Sequence, residues 1–136
     1  MTGIRALRIL VVDDEADLVA TYRRLFRRQG YDVDSAVTRA GGLALIDAAA
    51  PDLVIADLEL PDGDGLDLVR AARMAPTPCL VVVVSARPSN GAREEAMEAG
   101  ASAFVAKPFS AGALRDLVRS LFDHPQTCPS TRRTNQ

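Results

Sequence analysis

Tryptophan is absent from this chain, and its 136 residues include only two cysteines, one histidine and one lysine. Each scarcity excludes a class of chemistry. Cys79 heads an apolar run whereas Cys128 sits in a polar stretch, so a mutual disulfide is not expected, and neither has metal-site spacing. His124 lies outside the patterned part of the sequence, which leaves no Ser-His-Asp order and no histidine for a zinc ion. No apolar run approaches the roughly 20 residues of a membrane span. Met1 to Val12 lacks a signal-peptide layout, and a cytoplasmic protein is expected. A formal net charge of −2 gives neither nucleic acid nor a membrane surface a reason to bind. G-x-x-x-x-G-K-[ST] and G-x-G-x-x-G patterns are both missing, so nucleotide binding is not supported. Lys107 is the only lysine among 16 basic residues. Either chance put it there, or position 107 needs a compact, flexible point charge that arginine does not supply.

What is present is an alternation. The run Leu53-Val54-Ile55-Ala56 stops on Asp57 and is followed by Leu58-Glu59-Leu60-Pro61-Asp62-Gly63-Asp64-Gly65. Four consecutive apolar residues fit a strand buried on both faces, and the Pro/Gly/Asp cluster fits a turn. Further strands are predicted over Leu7 to Val12, Tyr31 to Ala36, Leu80 to Val84 and Ala101 to Ala106, the fourth in chain order being the most β-branched and so central or near-central. Helical spacing marks Ala16 to Gln29, Thr38 to Ala50, Leu66 to Met74, Asn90 to Ala99 with Asn90 as cap, and a last helix capped by Ser110. His124 to Gln136 is Pro/Thr/Ser/Arg-rich without periodicity. One domain over residues 1–123 and a tail or linker start over 124–136 are expected.

Strands alternating with helices imply an α/β fold: a doubly wound, five-stranded parallel sheet. Ligands of such sheets bind beyond the carboxyl ends of the strands. Asp13 and Asp14 follow the first strand, Asp57 ends the third, Ser85 follows the fourth and Lys107 the fifth, so all should reach one edge. The second strand ends on Ala36-Val37, which fits a place at the sheet's far side in the order 2-1-3-4-5. Carboxylates gathered there repel by roughly 4 kcal/mol per pair at about 4 Å and an effective dielectric of about 20. A divalent cation relieves this, and an oxygen-only donor set with waters suits Mg²⁺ rather than zinc. A carboxylate, a hydroxyl, a metal and an ammonium together are equipped for attack on a phosphoryl group.

Asp13-Asp14, Asp57, the loop Pro61-Asp62-Gly63-Asp64-Gly65, Ser85-Ala86 and Lys107-Pro108-Phe109, in this order and spacing, resemble a response-regulator receiver domain from Leu7 to about Phe122. The resemblance implies the flavodoxin-like (βα)5 fold, and a chain that is a switch of a two-component system, not an enzyme beyond its own phosphorylation and dephosphorylation. It implies Asp57 as acceptor from a phosphohistidine on a histidine kinase or phosphotransfer protein. Mg²⁺ would be held by Asp14, Asp57 and the Glu59 backbone carbonyl, with Asp13 acting through water, and Lys107 would contact the phosphate. Ser85 and Phe104 would form the switch, although a plain core aromatic is a competing role for Phe104. Glu59 and Arg87 would flank the path of water, where their opposite charges would pair across the site and modulate the phosphorylated lifetime; the alternative is two solvated side chains. The output surface would be the fourth helix, fifth strand and last helix, open to an output partner or a homodimer. Two other classes stand beside this one: a constitutive binding module on the same fold, and a small-molecule phosphatase or phosphotransferase with Asp57 as nucleophile.

Overall fold

The computed structural model describes residues 6–77, 79–87 and 89–123. The tail expected over 124–136, with His124 and Cys128, lies outside them. In chain order the elements are β1 (Arg8–Val12), α1 (Ala16–Arg28), β2 (Asp32–Ala36), α2 (Arg39–Ala49), β3 (Leu53–Asp57), β4 (Glu59–Leu60), β5 (Gly63–Asp64), α3 (Leu66–Met74), β6 (Leu80–Ser85), α4 (Asn90–Ala99), β7 (Ala103–Ala106) and α5 (Ala111–Asp123). Five strands form one parallel sheet in the order β2-β1-β3-β6-β7. This is the expected order. β3 is buried at every position, which is why its sequence is a continuous apolar run rather than an alternation.

The sheet is covered on both faces, and its residues divide by parity. Leu10, Val12, Val54, Ala56, Val81 and Val83 pack with α2, α3 and α4, while Ile9, Val11, Leu53, Ile55, Val82 and Val84 pack with α1 and α5. Burying each such side chain contributes about 1.5–3 kcal/mol before entropy is charged against it. The glycine pair that disfavours a helix in α2 has a packing reason at Gly42. A β-carbon there would lie 2.8 Å from Leu68 Cδ2 and 2.9 Å from Val12 Cγ2, so glycine lets α2 approach the sheet.

Three local features differ from the sequence expectation. Ser89, not Asn90, caps α4: its hydroxyl accepts from the Ala92 N–H at 3.0 Å, and Asn90 is the first helical residue. The fifth main strand begins at Ala103 rather than Ala101. The segment after Asp57 is not only a turn, since β4 and β5 pair antiparallel as a two-residue hairpin. Asp62 at its tip accepts from the Arg39 and Ala40 N–H groups at 2.6 and 3.0 Å, fastening the hairpin to the start of α2.

Candidate functional site

β1, β3 and β6 lie side by side, and their apolar runs give way to Asp13, Asp57 and Ser85. Parallel pairing then brings all those ends to one edge: Val12 pairs with Ala56, and Asp57 with Val84. Asp13 follows β1, Asp57 closes β3, Ser85 closes β6 and Lys107 follows β7, which pairs Ala106 with Ser85. Asp13, Asp57 and Ser85 are buried. Asp14 is exposed.

The Lys107 ammonium is the hub. It donates to Asp13 Oδ2 at 2.9 Å, to Asp57 Oδ2 at 3.1 Å and to Glu15 Oε1 at 3.2 Å. Three N–H donors thus meet three carboxylates, an arrangement a point charge on a flexible stem can reach. Burial works against the charged amine, but hydrogen bonding to Asp13 and the charges of Asp13 and Asp57 overcome it and hold the Lys107 pKa above its ordinary value. The Asp57 carboxyl is pushed from 3.8 up to about 6, chiefly by burial, with the Asp13 charge adding to the rise. The Glu59 N–H, which donates to Asp57 Oδ1 at 3.0 Å, and the Lys107 ammonium oppose that rise. Each Asp57 oxygen is therefore held in place, one by a backbone amide and one by the ammonium.

Oxygens of Asp13, Asp14 and Asp57 lie within 4.8 Å of one another, close enough to hold a metal ion. The donor set is hard and contains no sulfur or imidazole, which fits an oxygen-seeking divalent cation. Four carboxylates, counting Glu15, face one ammonium, so the charge balance also favours a cation.

Glu59 and Arg87 are not joined in an ion pair. The Glu59 carboxylate instead accepts from the Ser85 hydroxyl at 2.9 Å and the Ala86 N–H at 3.2 Å, while the Arg87 backbone N–H donates to Ser85 Oγ at 3.0 Å. The donors at the end of β6 are nearer to Glu59 than the long, exposed arginine stem. Phe104 is half-buried on β7 against the α3–α4 side of the core, with the Arg93 guanidinium of α4 5.6 Å from its ring centre. Two neighbours were not among the expected site residues. Glu15 could have been noticed as the third acid in a row. Tyr22 could not, because helical spacing marks it only as core: its ring stacks on Phe109 at 6.1 Å, and its hydroxyl is buried with no partner among the described residues. Burial and then the Asp13 charge hold its pKa above the ordinary tyrosine value.

Comparison with known proteins agrees with this arrangement. The chain is 37% identical over 120 residues to the transcriptional regulatory protein PrrA of Mycobacterium tuberculosis, covering 88% of this chain and 52% of that protein. It is 37% identical over 112 residues to the KDP operon transcriptional regulatory protein KdpE of Escherichia coli, covering 82% and 49%. The chain thus spans about half the length of the curated relatives it matches. Among solved structures, a CheY-like response regulator receiver domain protein from Methanospirillum hungatei superposes with a TM-score of 0.85 at 27% identity, covering 90% of this chain and 98% of that one. The receiver domain of a LuxO repressor homologue from Vibrio parahaemolyticus gives 0.83 at 26%, covering 90% and 95%. Residues 9–119 match the family described as the response regulator receiver domain, and the chain belongs to that family of two-component signalling switches.

Proposed function

We propose that Asp57 is the phosphoacceptor, taking a phosphoryl group from a phosphohistidine on a histidine kinase or phosphotransfer protein. The observation that carries this reading is the Lys107 ammonium, shared between Asp57 and Asp13 at 3.1 and 2.9 Å. Asp57 attacks as a carboxylate: an oxygen forms a bond to phosphorus, the donor's phosphorus–nitrogen bond breaks, and the imidazole leaves with that electron pair. The product is an aspartyl phosphate, a mixed anhydride. Lys107 and Ser85 receive the charge of the transferred oxygens. Asp13, Asp14, Asp57 and the Glu59 backbone carbonyl would hold Mg²⁺, Asp13 through water. When bound, the cation neutralises phosphoryl oxygens during the transfer.

A groove of about 900 Å³ opens beside this edge, lined by Glu15, Ala16, Leu18, Tyr22, Lys107 and Phe109 among others. A partner's histidine would approach from this groove, past Lys107. Ser85 and Phe104 form the switch. Phe104 carries no hydroxyl, so packing alone reports the state, and the output surface is α4, β7 and α5, for a partner or a second copy. Glu59 and Arg87 modulate the lifetime of the phosphorylated form. Domain limits at residue 123 and a cytoplasmic location belong to the same proposal.

Incubation with Mg²⁺ and a small acyl phosphate, followed by intact mass, tests the reading. One phosphoryl group per chain is expected on wild type and none on Asp57→Asn. Turnover of many equivalents of a phosphate ester would instead make the chain a phosphatase. Partner binding untouched by Asp57→Asn would make it a constitutive binding module.

A further inference from the structure

Glu59 is bonded to both halves of the site at once. Its backbone N–H holds Asp57 Oδ1 at 3.0 Å, and its carboxylate accepts from Ser85 Oγ at 2.9 Å and from the Ala86 N–H at 3.2 Å. These two donors close the strand that pairs directly with Asp57, since Asp57 registers with Val84 and the Leu58 N–H donates to the Val84 carbonyl at 3.0 Å. Both are donors at the end of the strand beside Asp57, on the side where a phosphoryl group on that residue would need them. An anionic carboxylate already takes both.

We propose, resting on the reading of Asp57 as phosphoacceptor, that the Glu59 carboxylate is a built-in stand-in for the phosphoryl group, a positioning residue that must leave Ser85 and Ala86 before that group can be held. One donor hydrogen cannot serve two anions, and a carboxylate beside a phosphoryl group adds like-charge repulsion. Glu59 is only half-buried, so its side chain can swing into solvent. The binding-competent form is then the minor one, and apparent affinity for a phosphoryl group falls by the fraction of molecules in which Glu59 has let go. The same contacts hold Ser85 in its resting position, so the side chain sets both the threshold for phosphorylation and the start of the switch.

The test titrates full-length protein with beryllium fluoride and Mg²⁺, following the backbone amide signals of Ala86 and Arg87. Glu59→Ala is expected to bind about tenfold more tightly than wild type, as it would if about one molecule in ten is open at rest. Glu59→Gln keeps the size with one fewer acceptor oxygen and should fall between the two. In a Ser85→Ala background the gain from Glu59→Ala should shrink, because the shared hydroxyl is gone, whereas a merely structural role would leave the two effects additive. Equal or weaker binding by both Glu59 variants overturns the stand-in. If intact mass shows that wild type takes no phosphoryl group on Asp57, the underlying reading falls and the stand-in with it. Uptake by wild type with unchanged binding by the variants overturns the stand-in alone.

Discussion

Burying Asp57 beside Asp13 makes its charged form costly in the folded protein. Its pKa is pushed from 3.8 up to about 6, so between those values the folded chain binds a proton that the unfolded chain has released. Stability from this group is therefore complete below about pH 4 and declines as pH rises to about 6, which is the sign opposite to a salt-bridged aspartate. Asp57→Asn cannot ionise and should be more stable than wild type at pH 7 in metal-free buffer, by at most about 3 kcal/mol for a rise of roughly two units. Urea unfolding at pH 7 and pH 4 checks this, with the difference shrinking at the lower pH. The Lys107 ammonium restrains the same rise, so Lys107→Met should move the Asp57 carboxyl higher still, a shift that carbon NMR in metal-free buffer reads directly. At this scale the sequence was informative about identity and silent about partners. An acid at the end of an apolar run is visible in the string of letters. That the Glu59 side chain turns to Ser85 rather than to Arg87 depends on where β6 lies in space.

The elements differ in how firmly they are held. α4 buries only Ala96, because its sequence offers small side chains and charges, while α1 buries Val19, Tyr22 and Phe26. Its Ser89 cap therefore supplies a large share of its anchoring, and Ser89→Ala should cost about 1 kcal/mol, seen as faster amide exchange in α4 than elsewhere. The hairpin after Asp57 is constrained from the opposite direction. A β-carbon on Gly65 would collide with the Asp57 carbonyl oxygen and lie 2.9 Å from the Leu58 Cα, both rigid backbone. Gly65→Ala should thus destabilise the fold by about 1–3 kcal/mol and lower phosphoryl uptake, because relief requires moving the acceptor strand. Helix α2 and the α4 cap were legible only in part. Ser89 and Asn90 are both able caps, and backbone geometry chose between them. Two-residue strands such as β4 and β5 carry no periodicity to read.

Across the whole molecule, stability and site are separated along the strands. Stability lies in two apolar layers flanking the sheet, and Leu68, fully buried on α3 against the β1 and α2 side, spans one of them. Leu68→Ala should cost about 2–5 kcal/mol in denaturant unfolding, while the protein that stays folded still takes up a phosphoryl group. Asp13, Asp57, Ser85 and Lys107 all sit at the carboxyl edge, where the strands run out of apolar residues. The sequence by itself determined the five strands of the main sheet, most helices and the residue types at each strand end, because apolar runs and turn formers are local properties. It also determined that five strand ends would share one edge, because alternation with helices forces parallel pairing and right-handed crossovers. Only the tertiary structure decided how those ends are wired: which three carboxylates share the Lys107 ammonium, and which anion holds the Ser85 hydroxyl. These are choices among donors and acceptors separated by up to 94 residues in the chain, settled by side-chain reach and charge balance after the backbone has brought them together.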